Sequence, residues 1–173
     1  MAMDFRKIAG VGASVGLLSL GLGKLYNAIV PEGGLTTVSF AIIDVNVGQQ
    51  ISAGIKTDLA SRVLGFLSGA NIPLPMALIT SIIAGIIIVW LGVLAVGFVK
   101  GFGLPTGKTA MGQLAAVLFY GSLFGGVVVG LIGNSIDSTI PVLGTVIAML
   151  IYYMIVAVVY GFAQGKIKQL PSL

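Results

Sequence analysis

The chain has 173 residues, enough for one domain, but 57% of them are apolar and only 8% charged, against about 25% charged in an average soluble domain. So few charges cannot clothe a surface in water, which makes lipid the implied solvent for much of the molecule. With no cysteine and no histidine, disulfides, thiolate metal sites and the usual haem, zinc and general-base ligands are excluded, and no cofactor or metal is expected.

The first element is the run from Ile8 to Val30, apolar and small-residue-rich, interrupted by Lys24 and closed by Pro31. Two readings compete. In one it is a membrane span, about residues 8–30, whose Lys24 stem snorkels to the interface. In the other, Arg6 and Lys7 head a secretory signal that is cut after a small-x-small site such as Gly21-Leu22-Gly23. The span is carried forward.

Residues 31–75 form the one sizeable segment between spans. "TVSFAIIDVNV" alternates apolar residues with a one-residue slip at Ile43-Asp44, a strand signal over 36–47 that would need a partner from outside the segment. Ile51, Ile55, Leu59, Val63, Phe66 and Leu67 then fall at helical spacing, with Ser52, Lys56, Asp58, Ser61 and Arg62 between them. That pattern predicts an amphipathic helix lying on the outer membrane surface or over the ends of the spans. A lid or partner-docking helix is the functional alternative. "NIPLP" at 71–75 closes it.

Three uncharged runs follow, at Met76–Val99, Ala110–Gly133 and Pro141–Ala163. Each exceeds the roughly 20 residues that cross a hydrocarbon core, and Pro141 suits the first turn of a helix. Between the first two lies "GFGLPTGKT", which superficially resembles a phosphate-binding loop. That loop needs a glycine five places ahead of Gly107-Lys108-Thr109, and Phe102 stands there instead. The segment also follows an apolar run rather than a strand, and no acid lies near to hold magnesium. Nucleotide and nucleic-acid binding are not expected; a turn between antiparallel spans is.

Loop charges set a direction. With the N-terminus inside, the inner segments hold Arg6, Lys7, Lys100, Lys108, Lys166 and Lys168 against Asp4, while the outer ones hold Lys56 and Arg62, with Lys24 at the border, against Glu32, Asp44, Asp58 and Asp137. This is a positive-inside pattern with both ends cytoplasmic. The fold class predicted is an all-α membrane protein, a four-transmembrane-helix bundle with an extracytoplasmic amphipathic helix between spans 1 and 2.

The three later spans contain no Asp, Glu, Lys or Arg, where proton and ion carriers usually keep one. Tyr120, Ser122, Tyr152 and Tyr153 are the candidate polar lining of a solute path; the alternative is hydrogen bonding to neighbouring helix carbonyls. Gly12 with Gly16, Gly121 with Gly125, and Gly126 with Gly130 form small-xxx-small pairs. They are candidate helix-packing positions, within the chain or between copies.

The stretch "GLPTGKTAMGQLAAVLFYGSLFGGVV", set within residues 76–165, resembles the Yip family of polytopic membrane proteins. The resemblance implies a role in membrane trafficking or organisation and supplies no site residues. That family has five spans and a long soluble N-terminal segment, whereas three or four spans are read here.

The function expected is a non-enzymatic membrane scaffold or accessory subunit, partnered by the bilayer and by a second copy or another membrane protein. A channel or passive carrier for small solutes is the alternative. An intramembrane enzyme survives only through Asp137 and the outer acids.

Overall fold

The computed structural model describes residues 4–29, 74–136, 138 and 142–173. Its elements are four helices: α1 (Phe5–Ile29), α2 (Leu74–Lys100), α3 (Ala110–Ile136) and α4 (Val142–Lys166). All four are long and apolar enough to cross a membrane, and no strand occurs among the described residues. The expected strand at 36–47, the surface helix over 51–67, Asp137 and Pro141 lie outside the described residues, as do the side chains of Lys24 and Thr80.

The helices outrun the apolar runs that announce them. α2 begins at Leu74, so Pro75 opens the helix rather than preceding it. A first-turn N–H has no partner inside its own helix, so proline loses nothing by lacking one. At the other ends, Lys100 and Lys166 sit in the last turns of α2 and α4, where a cation meets the partial negative charge of the terminal carbonyls. α1 runs unbroken through Gly21–Gly23 and Lys24.

Connectivity and contacts give an antiparallel bundle. α1 packs on α2, α2 on α3 and α3 on α4, while α4 closes back on α1 along a much thinner seam. Gly12 faces Ile86 and Gly16 faces Ser81, Gly92 faces Val117 and Gly121 faces Ile88, Gly126 faces Val146 and Gly130 faces Val142. In each pair of contacts one helix advances while its neighbour retreats, so all three interfaces are antiparallel.

The core lies along the bundle axis. Ile8, Val11 and Val15 contribute from α1, Ile88 and Val89 from α2, Leu114, Val117 and Leu118 from α3, and Met149, Tyr153, Val156 and Tyr160 from α4. On α1 and α4 the spacings of three and four put one stripe of the helix inward. Large apolar side chains also point outward, among them Ile79, Ile83, Ile87, Trp90 and Leu94 on α2 and Phe124, Val128, Leu131 and Ile132 on α3.

The α2–α3 turn is helix punctuation. The Gly103 N–H donates to the Lys100 carbonyl (3.2 Å) and the Leu104 N–H to the Val99 carbonyl (3.3 Å), with Gly103 at φ 71°. These two bonds with a left-handed glycine form a Schellman cap, and Pro105 follows where the helix cannot continue. Thr109 then caps α3, its Oγ1 accepting from the Gly112 N–H at 3.1 Å. Gly107, at φ 78°, passes so close to Gly112 that an added Cβ would sit 2.2 Å from its carbonyl carbon.

Candidate functional site

The six glycines singled out by spacing all lie where helix meets helix. A Cβ added to Gly12 would fall 2.5 Å from the Ile86 Cα, and one on Gly16 would fall 2.0 Å from the Ser81 carbonyl oxygen. On α3 the two pairs divide between neighbours. Gly121 would meet the Ile88 carbonyl oxygen of α2 at 2.3 Å, and Gly125 the Ile88 side chain at 2.8 Å. Gly126 and Gly130 turn instead to α4, meeting the Val146 and Val142 Cα atoms at 3.0 Å. One step in sequence, from 125 to 126, rotates the contact about 100° around the helix, which moves it from one neighbour to the other.

Two further glycines belong with them. Gly85 faces α1, where its Cβ would lie 2.1 Å from the Gly12 carbonyl oxygen, and Gly92 faces α3, 2.0 Å from the Val117 carbonyl oxygen. They are seven apart, so they share a face of α2 across two turns. A four-residue motif cannot register that spacing; a search at seven would have found it.

Of the four candidate lining residues, Tyr152 and Tyr153 touch, whereas Tyr120 packs in a separate cluster with Ala95 and Val99. The Tyr120 hydroxyl donates to the Pro105 carbonyl at 3.2 Å, tying the α2–α3 turn down onto α3. The Ser122 hydroxyl donates to the Phe119 carbonyl one turn back, at 3.0 Å. The Tyr152 hydroxyl crosses to α1 and donates to the Ser19 carbonyl, while the Ser19 hydroxyl donates to the Val15 carbonyl at 2.7 Å. Tyr153 stands edge-to-face with Tyr152, ring centroids 5.7 Å apart, and is 1% exposed in the middle of the core. Its hydroxyl makes no hydrogen bond among the described residues.

Where α1 and α4 meet, the segment after α4 folds back. The Pro171 carbonyl accepts from the Tyr160 hydroxyl and from the Gln164 Nε2, both at 2.9 Å, and the Pro171 ring lies 3.5 Å from where a Cβ on Gly10 would be. Leu170 and Leu173 pack against the core. Residues 167–173 thus fill one end of the thin α1–α4 seam, a contact that nothing in the sequence pattern announces.

Among the described residues, no three His, Cys, Asp or Glu side chains gather as a metal-ligand set would require. The chain matches no protein-family model, no curated protein and no solved structure. The likeness to the Yip family over residues 76–165 therefore gains nothing from comparison.

Proposed function

We propose that this chain is an integral membrane scaffold or accessory subunit, acting through helix packing and association with copies of itself or with another membrane protein, and not through catalysis. What carries the reading is the use made of its polar groups. Tyr120, Ser122 and Tyr152 each direct their hydroxyls to main-chain carbonyls of the bundle itself, which leaves them holding helices and a turn in place rather than facing a solute.

The outward faces support the bilayer as solvent. Ile79, Ile83, Ile87, Trp90 and Leu94 on α2, together with Phe124, Val128, Leu131 and Ile132 on α3, are all exposed, and broad apolar faces of this kind are rare on soluble monomers. In lipid, where apolar burial drives little, glycine faces that let backbones approach are what hold helices together. The cations at the ends of α2 and α4 and the starts of α1 and α3 favour an orientation with both termini on the cytoplasmic side, by the positive-inside rule.

The test is oligomeric state and flux measured on one preparation. A defined oligomer or stoichiometric partner in mild detergent is expected, with proteoliposomes no leakier than empty liposomes. Monomers that carry solutes faster than empty liposomes would replace the scaffold by the carrier. Orientation is checked by an impermeant maleimide on Lys108→Cys, clean because the chain has no cysteine of its own; labelling is expected from the cytoplasmic side alone.

The carrier reading keeps one observation in its favour. Tyr153 is buried at the centre with a hydroxyl that makes no hydrogen bond among the described residues. If that group serves a passing solute, Tyr153→Phe lowers flux; under the scaffold reading there is no flux to lower.

A further inference from the structure

The antiparallel order brings the start of α1, the end of α2, the start of α3 and the end of α4 to one end of the bundle. Arg6, Lys7, Lys100, Lys108, Lys166 and Lys168 are all exposed there, with Asp4 the one acid beside them among the described residues. None of the six makes an ion pair among the described residues.

The same end gathers the most exposed phenylalanines described: Phe5 (65%), Phe98 (65%), Phe102 (70%) and Phe162 (72%). Phe98 and Phe102 form a pair with ring centroids 5.0 Å apart. Phe119 and Phe124, farther along α3, are less exposed, at 40% and 46%. Outward rings beside exposed cations match the boundary between acyl chains and headgroups. There the rings are immersed and the cations reach the phosphates.

The geometry points to this end as a docking surface for the headgroups of anionic phospholipids, an inference that rests on the membrane reading above. It has two corners. Lys100 and Lys108 flank the α2–α3 turn with the Phe98–Phe102 pair. Arg6, Lys7, Lys166 and Lys168 surround the place where α4 returns to α1, with Phe5 and Phe162. A zwitterionic headgroup carries no net charge to answer them, whereas an anionic one does. A basic residue near an anionic surface enriches binding by about fivefold at most. Several cations share each headgroup here, and salt screens them, so about threefold selectivity is expected.

The experiment reconstitutes the full chain in phosphatidylcholine vesicles containing phosphatidylglycerol and measures the motionally restricted fraction of each spin-labelled lipid. Restricted phosphatidylglycerol should exceed phosphatidylcholine about threefold at low salt and approach parity at about 1 M salt, where the Debye length is about 3 Å. Replacing Arg6, Lys7, Lys166 and Lys168 by Gln should remove most of the preference, and replacing Lys100 and Lys108 a smaller part. These side chains are exposed and make no ion pair among the described residues, so the variants should fold, and the salt series needs no variant. Equal restricted fractions in the native protein, or a preference unchanged by the six substitutions, would overturn the inference alone. Release of the protein by alkaline carbonate would overturn the membrane reading, and this inference with it.

Discussion

Replacing Gly85 by alanine adds one methyl group at the tightest crossing of α1 and α2. The new Cβ would lie 2.1 Å from the Gly12 carbonyl oxygen, 2.6 Å from the Gly16 nitrogen and 2.7 Å from the Gly16 Cα. All three are backbone atoms, so no rotamer change relieves the overlap and the helices must part by roughly an ångström. A gap of that size forfeits a quarter to a half of each dispersion contact along the seam. Overpacking costs about 1–3 kcal/mol, and a clash with rigid backbone belongs at the upper limit. Alanine returns about 1 kcal/mol through its better helix propensity. The steric term wins, and a net loss of about 2 kcal/mol is expected. Gly97→Ala, on the same helix, is the control: its Cβ would meet nothing within 4 Å, so it keeps the propensity gain alone. Steric trapping of the two variants in lipid discs measures the difference directly. If Gly85→Ala were as stable as Gly97→Ala, the assignment of Gly85 to a backbone crossing would be wrong.

The two central tyrosines should part company. Tyr152→Phe removes the hydroxyl bonded to the Ser19 carbonyl and should cost about 0.6–1.7 kcal/mol, whereas Tyr153→Phe, losing a hydroxyl with no described partner, should be neutral or stabilising by about 1 kcal/mol; unfolding in the same assay checks the order. Thr109→Ala should cost about 1 kcal/mol through loss of the α3 cap and Thr109→Ser almost nothing, while Gly103→Ala should cost about 1–2 kcal/mol by forcing a Cβ into the left-handed region. Both are read as midpoint shifts. Leu170→Cys, half-buried, should react slowly with a maleimide and markedly faster when Tyr160→Phe and Gln164→Leu remove the two donors to Pro171; an unchanged rate would show that those bonds do not hold the segment.

The existence of the helices was legible, because uncharged runs of such length have few other fates. Their faces were not. In a soluble helix polarity separates inside from outside, but on α2 Ile87 turns outward while Ile88 beside it is buried, and nothing in the two side chains distinguishes them. Only glycine carries that information here, through absence of bulk. Spacing at four singles out Gly12, Gly16, Gly121, Gly125, Gly126 and Gly130, each close to a neighbouring helix, and passes over Gly85 and Gly92, which are equally close to theirs. The hydroxyl partners were no easier to read: Ser122 bonds the Phe119 carbonyl one turn back, whereas Tyr120 and Tyr152 reach carbonyls outside their own helices. The turn "GFGLPTGKT" was readable as a turn, but its division into a stop signal at Gly103 and a start signal at Thr109 needed the hydrogen bonds.

The four seams of the bundle are built by two different means. α1–α2, α2–α3 and α3–α4 each contain glycines whose missing side chains let backbones meet, which supplies dense van der Waals contact where lipid removes the hydrophobic drive. The α1–α4 seam has far fewer contacts. It is joined instead by the Tyr152 hydroxyl on the Ser19 carbonyl and, at one end, by Pro171, which Tyr160 and Gln164 of α4 hold beside Gly10 of α1. Hydrogen bonds of this kind are worth about 0.6 kcal/mol on average inside a membrane, a small hold beside the many dispersion contacts summed along a glycine-lined crossing. Local opening follows the weakest contacts, so α1 should separate from α4 before any other pair does, with residues 167–173 released first. Any partner helix that enters the bundle meets its lowest barrier there, beside the basic corner formed by Arg6, Lys7, Lys166 and Lys168.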